Sequence, residues 1–409
     1  MGSLITLGVG RMEIDWGKNH SFRNHSALFT EEDITKIPYY YVTEAGEVYI
    51  EEREGLSRKL FSVKKRLDLL GYSLRNIEKM YKDHLHECEI HNFEVNFSFK
   101  ALSDLLRNID VNQINTPEFE RNYEEYGYDY GEFVQRCIIP EKEIYSKLLS
   151  GANGDEAEVN WELEFFFEEL DPYIILRLLA ENEKCKDLNV YWSYADVVED
   201  GWVKRSEIIK PLSSSQKIVL VTEGSSDTLV LQKSINDLYG DVKDFFSFID
   251  MEKNYPFTGI GNLYNFCCGL VKIGVINQMI IIFDNDAAGS ERYEKLMALS
   301  PPDNLLFMKL PYCTSFENMD TIGPQGKFKE NINGSAVAIE CFLDFKSVEM
   351  VPTIRWTTYI DRAQRYQGVL QQKDEYIREF KKADLREGKY DVSKIKFLID
   401  SIIEEWTSR

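Results

Sequence analysis

Five apolar residues, Met279 to Phe283, run without a break into Asp284, Asn285 and Asp286. A continuous apolar run of this length reads as a strand buried on both faces, the kind found in parallel sheets covered by helices. Two acids at its end need a compensating partner, because an unpaired buried carboxylate costs several kcal/mol even after relaxation. Alternate residues of an extended chain point to the same side, so Asp284 and Asp286 can face one point while Asn285 faces away. The small residues Ala287, Ala288 and Gly289 let the turn and the next helix approach that point closely.

An upstream segment repeats the pattern. KIVLVT ends in Glu223, Gly224 turns the chain, and Asp227 falls about one helical turn beyond Glu223 on the same flank. FFSFIDM reads as a further strand, GIGNLYNFCCGLVKIG as a helix and NLLFMKLP as a strand, while SAVAIECFL leads into a helical C-terminal tail. Strands alternating with helices give an α/β fold with a mainly parallel sheet, and place functional residues at the carboxyl ends of its strands. A divalent cation would neutralise the acids there, and oxygen donors with no histidine nearby select Mg²⁺ or Mn²⁺ over Zn²⁺. An EF-hand is excluded, since one starting at Asp284 would need an oxygen ligand at Ala288 and a glutamate at Lys295. A phosphatase using Asp284 as nucleophile usually has Gly-Thr after its second aspartate; Ala287-Ala288 stand there, and this remains the alternative enzyme. The plainer alternative is that Asp286 caps the helix after it and Asp227 stabilises a helix start.

Glu223-Gly224-x-x-Asp227 and Asp284-Asn285-Asp286-x-x-Gly289 resemble the motifs of the Toprim domain of topoisomerases, primases and OLD-type nucleases. Gly259, Gly261 and Asn262 resemble the glycine-rich loop between those motifs, Glu340 a further metal-site glutamate of the OLD-type branch, and Lys373 the lysine after it. The resemblance implies a Rossmann-like Toprim sheet flanked by helices and a Mg²⁺- or Mn²⁺-dependent nuclease cutting DNA or RNA. In it Asp227, Asp284, Asp286 and Glu340 hold metal, Glu223 binds metal or acts as general base, and Lys373 stabilises developing charge. A sensor or scaffold using the same fold only for binding is the rival from another class.

Length fixes the remainder: 409 residues exceed one ordinary core. A polar linker at Pro211-Leu212-Ser213-Ser214-Ser215 separates residues 1–212, a mixed α+β domain, from a catalytic domain at 213–346 and a helical extension at 347–409. The first part opens with strands, LITLGVG and YYYVTEAGEVYI, the latter broken at residues 44–46. Two helices joined at Gly71 follow, carrying Leu60, Val63, Leu67 and Leu70, then Leu74, Ile77 and Met80. From MGSLITLGVG through LLGYSL to LRLLAENE, this half resembles the domain accompanying HEPN or Toprim modules in bacterial conflict proteins, which implies an effector of antiphage defence. No R-x4-6-H motif of a HEPN ribonuclease is present, His84 lying nine residues after Arg75, and no G-x-x-x-x-G-K-[ST] loop of an ATPase occurs.

Seven scattered cysteines without a C-x-x-C pair, no signal-peptide pattern and no spanning apolar run point to a cytoplasmic chain away from membranes. The net charge of −21 is uneven: residues 1–212 hold 25 Lys+Arg against 41 Asp+Glu, residues 213–346 hold 11 against 17, and residues 347–409 hold 12 against 11. The acidic half implies a surface that repels nucleic acid or engages a protein partner, with homo-oligomerisation open. For phosphate contact the candidates are Lys381, Lys382, Arg386 and Lys389, in the basic run FKKADLREGK. The acidic, tyrosine-rich stretch 116–134 reads as packed rings, and HLHECEIH would place His84, His86 and Cys88 on one face of a strand in a zinc reading.

Overall fold

The computed structural model describes residues 2–10, 12–42, 48–90, 97–111, 166–249 and 259–409. The break at 44–46, the stretch 116–134 and His91 lie outside them. The chain forms two compact units, Met1–Pro211 and Leu212–Arg409. Among the described residues no helix is long and apolar enough to cross a membrane.

In the first unit, β1 (Leu4–Val9), β2 (Met12–Lys18), β3 (Ile34–Val42), β4 (Val48–Lys59) and β5 (Asn189–Ser193) form an antiparallel sheet in the order β2-β1-β5-β4-β3. The alternation in LITLGV sets the face: Ile5, Leu7 and Val9 are buried, and their neighbours are not. Against that face pack α1 (Leu60–Leu69), α2 (Leu74–Ile90), α3 (Phe99–Asn108) and α4 (Pro172–Leu179), through Val63, Leu67, Ile77, Tyr81, Leu102, Leu106 and Ile174. Gly71, at φ +94°, makes the left-handed turn between α1 and α2. Met80 is 37% exposed, and Tyr81 fills the core beside it. The strand expected at HLHECEIH is helix through Ile90, so His84 and Cys88, four residues apart, meet at 3.7 Å and His86 lies off that face. A run of long polar residues with few β-branched ones favours helix there.

The second unit is built on β6 (Ile218–Val221), α5 (Ser225–Leu238), β7 (Phe246–Phe248), α6 (Ile260–Ile273), β8 (Gln278–Phe283), β9 (Asn285–Asp286), α7 (Ala287–Met297) and β10 (Leu305–Lys309). The strands β10-β8-β6-β7 form a parallel sheet, with Leu220 opposite Ile280 and Ile280 opposite Leu306. Met279, Ile281 and Phe283 pack on Leu263, Cys267 and Leu270 of α6, while Ile280 and Ile282 are as buried on the other face. Residues 347–409, expected to be helical, begin instead with strands. β11 (Met319–Gly323), β12 (Gly326–Glu330), β14 (Thr353–Ile360) and β15 (Arg365–Leu370) make a mixed sheet in the order β12-β11-β14-β15. The β-branched and aromatic residues of TIRWTTYI favour that outcome. β13 (Ala336–Val337) pairs with β9, and α8 (Lys373–Lys382) and α9 (Ser393–Thr407) close the chain.

Candidate functional site: a cavity lined by five carboxylates

β6 and β8 are adjacent and parallel, so the residues that follow them emerge at the same sheet edge. There Glu223, Asp227, Asp284, Asp286 and Glu340 line one cavity of about 470 Å³ together with Gly259, Gln367 and Lys373. Asn285 lines a different cavity, as alternation along the strand requires. Pairing of Asp286 with Ala336 brings the chain round to the 3-10 turn Ile339–Phe342, which carries Glu340 with 4% of its surface exposed. Lys373 opens α8 and holds its ammonium 3.8 Å from the Glu340 carboxylate.

Local contacts fix the acids. The Asp284 amide donates to Glu223 Oε1 at 3.3 Å. Asp286 accepts from the Gly289 amide at 2.7 Å, capping α7, and also from the Gln367 side chain, whose own oxygen accepts from the Ala288 amide at 3.1 Å. Asp227 accepts from the Gly224 amide at 3.0 Å in the first turn of α5. Helix capping is therefore real for Asp286 and Asp227, and both still face the cavity. Gly259, at φ +76°, donates its amide to the Glu223 carbonyl at 3.3 Å. Gly224 has an ordinary extended backbone and room for a side chain, so that turn does not depend on glycine.

Gly289 is different: a Cβ there would overlap the Asp284 carbonyl oxygen. Backbone cannot swing aside as a side chain can, so Gly289→Ala should destabilise the unit despite its better helix propensity, by about 1–3 kcal/mol. A thermal melt of the variant at or above wild type would show that the helix does not need this approach.

Enclosure pushes Glu223, Asp227, Asp284 and Asp286 toward their protonated forms, and like-charged neighbours add to it at the first three. Burial, with the charges of Asp286 and Asp227, raises Glu223 to about 8, against the lowering effect of the Asp284 amide. Burial and Glu340 raise Asp227 to about 7. Asp284 is raised well above the carboxylate range by burial and then by Asp227, Glu223, Asp286 and Glu340. Asp286 is raised by burial against the bonds from Gly289, Gln367 and Ala288.

Hard oxygen donors that lose their protons to a cation suit Mg²⁺ or Mn²⁺ in kind. Yet among the described residues no three His, Cys, Asp or Glu side chains form a ready-made metal cage. The fit is thus one of donor chemistry, with the five acids as cavity walls.

None of Lys381, Lys382, Arg386 and Lys389 lines the cavity. Lys382 pairs with Glu379 and Lys389 with Glu387, both at 2.9 Å, and Arg386 donates to the carbonyls of Asn236 and Asp237 near the end of α5. Gln367 is the site residue that sequence reasoning misses, because one glutamine on an exposed strand carries no signal until the strand is placed.

A family profile described as HEPN/Toprim N-terminal domain 1 matches residues 1–216, the whole first unit and the linker after it. No curated protein and no solved structure matches the chain. With more than half its length matched, the chain belongs to the HEPN/Toprim N-terminal domain 1 family.

Proposed function

We propose that the second unit is a Toprim-type, Mg²⁺- or Mn²⁺-dependent nuclease that hydrolyses phosphodiester bonds, working as an effector of antiphage defence in the cytoplasm. The observation that carries this reading is the convergence of Glu223, Asp227, Asp284, Asp286 and Glu340 on one cavity at the carboxyl edge of a parallel sheet. The family description of the first unit, which pairs HEPN and Toprim, supports it.

A divalent cation bound there would polarise the scissile phosphate and lower the pKa of attacking water. Asp284, Asp286 and Glu340 would hold it, with Asp227 beside them. Glu223, whose proton affinity is raised to about 8, is suited to accept a proton near neutral pH. Gln367 keeps Asp286 oriented through its paired bonds to Asp286 and Ala288. Lys373, half exposed at the rim, supplies positive charge where negative charge builds on the phosphate. Lys373→Ala should therefore lower kcat by about 10²-fold, a typical loss for one electrostatic donor, while metal affinity holds or tightens because a repelling cation has gone. Weaker Mn²⁺ binding in that variant would give Lys373 a structural role instead.

The absence of a ready-made cage among the described residues favours one second reading, a sensor or scaffold in which the cavity has no catalytic use. Purified protein incubated with plasmid DNA, tRNA and total RNA, each with Mg²⁺, Mn²⁺ or EDTA, separates the two. Cleavage that needs metal supports the nuclease; intact substrates under every condition support the scaffold.

A further inference from the structure

The exposed face of the mixed sheet carries a row in which cations alternate with aliphatic side chains and which ends at the carboxylate cavity. Strand register aligns Lys327 on β12, Ile322 on β11, Arg355 on β14 and Val369 on β15. Residues paired directly across strands share a face, so these four side chains form one line about 14 Å long, three strand spacings. The next row on that face holds Lys329, Asp320 and Thr353. Lys327, Lys329, Arg355 and Val369 are all exposed, and Val369 is itself a wall of the cavity.

Charge on this face is only partly neutralised. Among the described residues no acid pairs with Lys327, while Lys329 forms an exposed ion pair with Asp320 at 3.7 Å, of the kind that holds its partner weakly. Turning the Gln371 amide over lets its oxygen accept from Arg355, at 3.1 and 3.2 Å, and a neutral partner of this kind leaves the arginine's charge in place. The Glu330 carboxylate is turned to the opposite face, accepting from Trp356 and Thr321. In a chain of net charge −21, a cationic strip ending at a cavity fits a polyanion.

We propose that Lys327, Lys329 and Arg355 form the track along which a polynucleotide backbone is held as it enters the cavity past Val369. This rests on the reading of the cavity as a phosphodiester-cleaving site. The contacts are to phosphates, so the track binds DNA and RNA without reading sequence. It displaces the basic run around Lys381 as the principal binding surface.

The test is fluorescence anisotropy of labelled 20-nucleotide DNA and RNA strands, in EDTA and over 50–200 mM salt. The full-length protein is compared with two charge-reversed variants, Lys327→Glu/Lys329→Glu/Arg355→Glu and Lys381→Glu/Lys382→Glu/Lys389→Glu. The sheet variant should bind at least tenfold more weakly. Its plot of log K against log salt should be flatter by about 2, since each lost phosphate contact to a single strand removes about 0.7. The second variant should bind within twofold of wild type. Should the sheet variant fail to melt like wild type, Lys327→Ala/Arg355→Gln takes its place with a proportionally smaller effect. Wild-type affinity in the sheet variant, loss confined to the Lys381 variant, or no binding by wild type at 50 mM salt would each overturn the track. Binding that depends on the track without cleavage in any metal would leave it standing and sink the nuclease reading, whereas metal-dependent cleavage with unaltered binding does the reverse.

Discussion

Asp284→Ala should abolish metal-dependent cleavage, by 10²-fold at the least on the scale of single electrostatic contributions, and leave a protein that melts no lower than wild type. Burial and four like-charged neighbours, Asp227, Glu223, Asp286 and Glu340, act together on Asp284. Removing one member of a repelling set relieves the fold while depriving a cation of a ligand. Stability and activity should therefore move in opposite directions. A relief of 1 kcal/mol corresponds to a rise in Tm of about 2–4 °C for a unit of this size. The measurement pairs a cleavage time course with a thermal melt in EDTA. A variant that melts far below wild type would make Asp284 a structural acid, and one that cleaves normally would remove it from the site.

The second large effect is a pH dependence of stability that metal reverses. Glu223 and Asp227 have folded-state values raised to about 8 and about 7, above those of the unfolded chain. A group raised in this way binds its proton more tightly when folded, so its contribution is complete below the unfolded value and is lost as pH climbs through the folded one. Between about pH 4.5 and 8 the apo protein should thus lose stability as pH rises, because the unfolded state holds fewer protons across that window. In EDTA the Tm at pH 5.5 should exceed that at pH 8.5 by several degrees. Mg²⁺ should raise the pH 8.5 value strongly and the pH 5.5 value little, since protons compete for the same oxygens. In Glu223→Gln the pH slope should shrink. A Tm that rises between pH 5.5 and 8.5 in EDTA would contradict the buried, mutually repelling arrangement.

How much of this is legible in the sequence depends on the range of the interaction involved. The strand at Met279–Phe283 and its terminal acids are legible because an unbroken apolar run ending in charge has few stable placements. The joint at Gly71 is legible too, since both flanking helices keep their apolar spacing and the glycine takes the left-handed turn. Where packing decides between local alternatives, sequence reading falls short. HLHECEIH has no periodicity strong enough to separate strand from helix, and it continues α2. The strands Thr353–Ile360 and Arg365–Leu370 sit in a segment read as helical tail, because their exposed face keeps polar residues at positions a buried strand would make apolar. That misreading hides Gln367, which reaches Asp286 only once β15 is placed beside the cavity. It equally hides the cations of the mixed sheet, whose alignment arises from pairing between strands far apart in the chain. The basic run at Lys381, conspicuous in one dimension, is partly occupied by neighbouring carboxylates and carbonyls.

Mn²⁺ binding followed by electron paramagnetic resonance addresses the central claim without needing a substrate. Five carboxylates on one cavity should bind the ion at pH 8 with a measurable stoichiometry, and Mg²⁺ should displace it. Asp284→Ala and Asp286→Ala should each weaken binding at least tenfold, while Asp320→Ala, on the mixed sheet, should leave it unchanged. If wild type binds no Mn²⁺ at millimolar concentration, or if all three variants bind as wild type does, the cavity is not a metal site and the proposed chemistry falls with it.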